Sequence, residues 1–206
     1  MLFRSSLRQL KVEYLDLWQM HNLFSLENLD LRIKNGVLDV LQEAKRSGKV
    51  RHIGFTGHAN PAIHCKMLEE TDLFDTCQMP LNVFDPNYLS FGTNVLPELI
   101  KRDMGVIVIK SLGGGSFFSQ PELLANWSVQ DPVIPAHISI RQALYYVWSL
   151  PVSVIVTGAD DSHMLMEKIQ LARTFTPYSR TEIMELVQLV ADMAGIAESN
   201  YKTETI

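Results

Sequence analysis

Short β-branched or aromatic runs alternate along this chain with amphipathic stretches, and the order strand, polar turn, helix recurs five times. The apolar runs cover residues 14–20, 52–55, 76–82, 105–110 and 152–157. Val106-Ile-Val-Ile109 and Val152-Ser-Val-Ile-Val156 are apolar at nearly every position, the pattern of parallel strands covered on both faces. Between the runs, Val37, Leu38, Leu41 and Ala44 fall on one stripe of a helix that Gly48 closes. Asn60 and Ser162 are expected helix starts, with Pro61 in the first turn of the former. Ala143, Leu144, Val147 and Trp148 face the sheet from a helix over 141–150, and Pro151 ends it. A final helix over 179–194 opens with Ser179 and Glu182 at capping-box spacing.

Alternation of this kind gives an α/β fold with right-handed crossovers. Periodicity does not separate an open doubly wound sheet from a closed barrel. Polar and glycine-rich residues follow nearly every strand instead of gathering at one switch point, which leans toward the barrel. The segment 113–137 is long for a connection and reads as a binding loop or lid, with Phe117, Phe118 and Trp127 available to line a mouth or to cover an apolar surface. With 206 residues, 47% of them hydrophobic, the chain can bury a core of its own and is read as one domain over 1–206.

The formal net charge of −5 and the lack of a basic block argue against a nucleic-acid backbone as partner. No run is long enough to cross a bilayer, and the residues after Met1 lack the apolar core of a secretory signal, so a cytoplasmic protein without a membrane partner is expected. Cys65 and Cys77 have no metal or redox spacing and read as buried free thiols; no metal site is expected.

Two features carry chemistry on their own. His21 closes the first apolar run, where a parallel barrel keeps its reactive groups, although a strand-end histidine is more often structural or solvent-facing. Lys110-Ser-Leu-Gly-Gly-Gly-Ser116 sets small residues beside a cation, so its backbone amides suit a pyrophosphate; the plain alternative is a flexible turn.

The segments Ser6 to His21, Gly48 to Gly57, Gln78-Met-Pro-Leu-Asn82, Gly105 to Gly115 and Val156 to Glu167, in that order, closely resemble the aldo-keto reductases. The wording around Gly54-Phe-Thr-Gly-His58 is most similar to a bacterial branch of predicted oxidoreductases. The resemblance implies a (β/α)8 TIM barrel and reduction of an aldehyde or ketone by NAD(P)H. It places His21 in a catalytic Asp-Tyr-Lys-His tetrad, as the residue that helps polarise the carbonyl. Thr56, Gly57 and Gln78 take the places that hold the nicotinamide carboxamide, with Gly57 standing where the family has asparagine. Lys110, Ser111, Leu112, Gly113 and Gly114 match the pyrophosphate loop, and Gly158, Asp160 and Glu167 match the adenosine end. Gly158 and Met164 replace the basic residues that grip a 2′-phosphate, and Asp160 and Asp161 add negative charge, so NADH is weakly preferred to NADPH. Asp161 or Ser162 serving only as a helix cap is an equal reading.

By the same resemblance the chain supplies a partial barrel, the equivalents of strands four to eight with their helices and a C-terminal helix. The segments bearing the tetrad's aspartate, tyrosine and lysine would precede residue 1. The expectation is therefore a fragment with little or no turnover alone, the alternative being a non-catalytic nicotinamide-binding or partner subunit. Its partners would be a small carbonyl substrate and further copies of itself, meeting through exposed strand edges.

Overall fold

The computed structural model describes residues 2–114, 132–134 and 138–205. Helix α1 (Leu2–Leu10) leads into β1 (Leu15–Leu23), followed by α2 (Leu26–Lys34), α3 (Val37–Arg46), β2 (Val50–Gly57) and α4 (Pro61–Glu70). Next come β3 (Thr76–Pro80), the short helices α5 (Phe91–Asn94) and α6 (Leu96–Lys101), and β4 (Gly105–Ile109). A small antiparallel pair, β5 (Pro132–Ile134) and β6 (Ile138–Ser139), precedes α7 (Ile140–Trp148), β7 (Val154–Ile155), α8 (Ser162–Arg173) and α9 (Arg180–Leu189). The long strands form one five-stranded sheet in the order β1-β2-β3-β4-β7, every neighbouring pair parallel.

All five expected strands are present in their expected order, and their ends differ. β1 begins after Tyr14 and carries on through His21 to Leu23. The ladder of β7 is short, yet Ser153 N donates to Val106 O and Val156 N to Val108 O, so 153–156 follow β4 closely. Helix starts obey the cap chemistry. Asn60 Oδ1 accepts from Ala62 N at 3.0 Å with Pro61 behind it, and Ser179 with Glu182 forms a reciprocal capping box. At α8 the cap is Asp161, not Ser162: its Oδ1 accepts from Met164 N at 2.7 Å, because an acceptor must stand one residue before the first helical turn. The last helix stops at Leu189 and continues only as a short 3-10 turn, so the expected end at 194 was too late. Phe117, Phe118 and Trp127 lie outside the described residues.

Residues that face each other across a parallel ladder point the same way, so the register sorts the two faces of the sheet. On one face Met20, Phe55, Cys77 and Val106 line up, with Met79 and Val108 in the next row. All are buried, packed with Leu29, Leu41, Ile63, Met67 and Leu99 from the helices. Gln19, Thr56, Gln78, Ile107 and Val154 belong to the other face. That face is polar toward β1, and Val154 is 49% exposed at its far edge. The expectation of strands covered on both faces therefore holds only for the helix side. Cys77 is buried as expected, whereas Cys65 on α4 is only half-buried; both are free.

Glycine decides one detail of the polar face. A Cβ at Gly54 would stand 2.2 Å from Thr76 Oγ1 and 3.3 Å from Gln19 Cγ. Without it, Gln19 reaches across β2 and its Nε2 donates to Gln78 Oε1 at 3.1 Å.

Candidate functional site

The carboxyl ends of the strands bring the sequence-predicted residues into two groups. The first lies over β1, β2 and β3. His21 is exposed, and its backbone oxygen accepts from Arg32 Nη1 at 2.7 Å, while Arg32 Nη2 reaches Asn22 O at 3.2 Å. Asn22, next along, has φ 51°, a left-handed turn that its short polar side chain tolerates. Its N–H donates to Thr56 Oγ1 at 2.8 Å. Thr56 is buried and Gln78 half-buried beside it, so His21, Thr56 and Gln78 sit on adjoining strand ends.

Gly57 has a physical reason to lack a side chain. A Cβ there would meet His64 Cε1 at 2.6 Å and Leu23 O at 2.7 Å. Any larger side chain at Gly57, the asparagine of the resemblance included, would collide with the histidine that fills that space. His64 is fully buried, tilted against Phe55 at 5.2 Å between ring centres and perpendicular to Phe91 at 5.0 Å. Burial pushes its pKa down to about 4, more than the nearby backbone of Gln78 and Asn60 restores, and the charge of His58 lowers it further.

The second group surrounds a cavity of about 290 Å³ beyond β4 and β7. Lys110, Ser111, Leu112, Gly114, Gly158 and Asp160 line it together with Val156, Thr157, Met164 and Lys168. Gly113 belongs to the same turn, its N–H donating to Lys110 O at 2.9 Å. Lys110, Gly113 and Gly114 all have positive φ, at 57°, 60° and 63°. Two glycines adopt this conformation freely, and the lysine is held in it. Glu167 sits outside the lining, with Oε2 3.8 Å from His163 Nδ1.

Lys168 is the second cation of the lining. Its ammonium donates to Thr157 Oγ1 at 3.1 Å and to Gly158 O. Burial lowers its pKa, with Asp160 opposing. The cavity thus carries two ammonium groups and one carboxylate, an electrostatic balance that suits an anion. Its size matches one portion of a dinucleotide, not the whole.

A third cluster went unnoticed in the sequence. Lys202 Nζ is fully buried and meets Asp85 Oδ1 at 2.8 Å, Glu198 Oε1 at 2.8 Å and Tyr88 O at 2.7 Å. Asp85 also accepts from Ser90 Oγ and from the N–H groups of Phe91 and Gly92. Tyr201 Oη donates to Glu198 Oε1 at 3.2 Å and accepts from Asn82 Nδ2 at 2.7 Å. Burial and the Glu198 charge push the Tyr201 phenol upward, and burial also raises Glu198. A tyrosine held this way resists giving up its proton, so the Asp85–Tyr201–Lys202 grouping is no substitute for a proton-donating tetrad. The signal for it was the spacing of Glu198 and Lys202, one helical turn apart, which in sequence looks like a solvated ion pair.

The model of the aldo/keto reductase family matches residues 2–133. The chain belongs to this family. The uncharacterized oxidoreductase YqkF of Bacillus subtilis strain 168 is 23% identical to it over 189 residues, taking in 82% of this chain and 58% of that protein. Among solved structures, the holo form of aldo-keto reductase AKR11C1 from Bacillus halodurans superposes with a TM-score of 0.68 at 19% identity, covering 91% of this chain and 65% of that one. An aldo-keto reductase from Klebsiella pneumoniae in complex with NADPH gives 0.61 at 18% identity, covering 92% and 63%. The parallel α/β sheet matches these (β/α)8 barrels in fold, and the chain spans less than two thirds of the length of each of the three. Among the described residues, no helix is long and apolar enough to cross a membrane.

Proposed function

We propose that this aldo/keto reductase chain holds the nicotinamide dinucleotide of an NAD(P)H-dependent carbonyl reductase, and that alone it turns over aldehydes or ketones slowly or not at all. The observation that carries the reading is the cavity. Six residues singled out for the cofactor, Lys110, Ser111, Leu112, Gly114, Gly158 and Asp160, line one space from two separate loops. Lys110 would face the phosphates there, while Thr56 and Gln78 on the neighbouring strand ends would hold the carboxamide. Bound in this way, the dinucleotide supplies the hydride. His21 is exposed at the end of β1 and would donate to the carbonyl oxygen.

Low turnover follows from the proton. Tyr201 is buried against Glu198 and Asn82, and with its phenol pushed upward it would donate poorly to an alkoxide formed at the site. A reading as a non-catalytic dinucleotide-binding subunit draws on the same contrast. The weak preference for NADH rests on Asp160 and Asp161 and on an ammonium at Lys168 that Thr157 and Gly158 already engage. Two free thiols fit a reducing compartment, which supports a cytoplasmic setting.

A chimera carrying the first three βα units of a longer family member tests the assignment. Turnover should appear with NADH and a simple aldehyde, and His21→Ala should lower kcat at nearly unchanged cofactor affinity. No turnover in a folded chimera that binds NADH would favour the non-catalytic subunit.

Self-association belongs to the same proposal. Among the described residues β1 and β7 each pair on one side only, and Val154 and Val156 are 49% and 54% exposed along β7. Light scattering should find species larger than 23.4 kDa, and Val154→Lys should shift them toward the monomer. A monodisperse monomer at high concentration would refute the edge contact.

A further inference from the structure

The C-terminal segment lies across the carboxyl ends of three strands. Thr203 N donates to Ala59 O at 2.9 Å, and Asn60 Nδ2 donates to Thr203 O at 3.0 Å, both just after β2. Lys202 is locked into the loop after β3 through Asp85 and Tyr88. Two residues earlier the segment meets the turn after β4. Asn200 Nδ2 donates to Gly114 O at 3.3 Å. The Tyr201 ring approaches within 3.2 Å of where a Cβ on Gly114 would stand, and the Lys110 ammonium lies 5.6 Å from its centre. Asn82 Nδ2 completes the link by donating to both Tyr201 Oη and Lys110 O, the latter at 3.1 Å.

Both ends of the Lys110–Gly114 turn are therefore held by their carbonyls, one through Asn82 and Tyr201 and the other through Asn200. Lys110 sits in a left-handed conformation that a non-glycine residue keeps only when its surroundings over-determine it. The cavity formed with Gly158 and Lys168 includes Lys110, Ser111, Leu112 and Gly114.

We propose that Asn200 and Tyr201 are positioning residues that preset the Lys110–Gly114 turn for a pyrophosphate, so that the C-terminal segment sets the affinity for the anionic part of the ligand without touching it. The proposal rests on the dinucleotide reading above. Preorganisation of this kind acts through the competent fraction: a turn that samples other conformations binds more weakly in proportion. Lys202 and its carboxylates anchor the segment; Tyr201 shares Glu198 with that anchor, whereas Asn200 bonds to the turn through Gly114 O, which makes Asn200 the cleaner probe.

Hydrogen exchange and calorimetry on the full chain separate this from a general structural role. In Asn200→Ala, Tyr201→Phe and the double variant, amide exchange at 111–114 should rise by about tenfold, the cost of a lost hydrogen bond or two, and in Asn200→Ala, whose bond to Gly114 O is exposed, the unfolding midpoint should barely move. Affinity for inorganic pyrophosphate and for NADH should fall by a similar factor, affinity for adenosine should not, and Asn200→Gln should recover part of the loss. Unchanged exchange at 111–114 in the double variant overturns the proposal whatever the wild type binds. Raised exchange in a chain that binds neither pyrophosphate nor NADH overturns the dinucleotide reading instead, and supports the positioning of the turn by the tail.

Discussion

Acidification from pH 7 to pH 4 is expected to remove about 3 kcal/mol of stability through His64 alone. The folded chain keeps this ring neutral down to about pH 4, whereas the unfolded chain takes up a proton near the ordinary histidine value of about 6.5. A depressed folded pKa stabilises fully above the unfolded value, and the contribution drains away as the pH falls through that window. Charging the ring would place a cation between Phe55 and Phe91 and under Gly57, with no carboxylate among those contacts. Denaturant titrations of the wild type and His64→Leu at pH 7, 5.5 and 4 check this, since other groups titrate alike in both. The wild type should lose more over the window by about 3 kcal/mol. Parallel curves would show that His64 is hydrated or paired.

Lys202→Met should cost about 3–5 kcal/mol, because it leaves the Asp85 and Glu198 carboxylates facing each other in the interior. All three acceptors of the ammonium would lose their partner together. Glu198 is raised already by burial, so protonation of that side chain relieves part of the loss, and Lys202→Met combined with Glu198→Gln should be more stable than the single change. Denaturant unfolding at pH 7 reads both. A loss below about 1 kcal/mol for the single variant would mean that water reaches the cluster.

The sheet was legible because parallel strands covered by helices announce themselves: Val106 and Val108 are apolar for the same reason that they are buried. Helix starts were legible where one side chain supplies the cap, as at Asn60 and Ser179. At α8 two neighbouring residues had the right chemistry, and only the backbone geometry selects Asp161. The exposed flank at Val154 was not legible, since an apolar residue looks the same in sequence whether or not anything covers it.

The candidate site divides along similar lines. Lys110–Gly114 could be read as an anion turn from its composition, and the loop at Gly158 joined it through the family resemblance. Gly57 was recognised as a departure, but its cause lies seven residues on, in a histidine whose burial no local pattern reveals. Lys168 is buried on α8 with its ammonium between Thr157 and Gly158, a placement that depends on a loop ten residues earlier and not on the helix's own pattern. Asp85, Glu198 and Lys202 were invisible for a general reason: charged residues are expected in water, and burial through mutual pairing depends on contacts more than a hundred residues apart.

Calorimetric titration of the full chain, checked by cooperative thermal unfolding, with NADH and NADPH at one ionic strength tests dinucleotide binding most directly. NADH should bind measurably and NADPH more weakly, and Lys110→Ala should lose about tenfold or more in NADH affinity, since a charge-assisted contact to a phosphate is removed. A folded chain that gives no heat with either dinucleotide at millimolar concentration, or a Lys110→Ala variant that binds NADH as the wild type does, would contradict the dinucleotide reading.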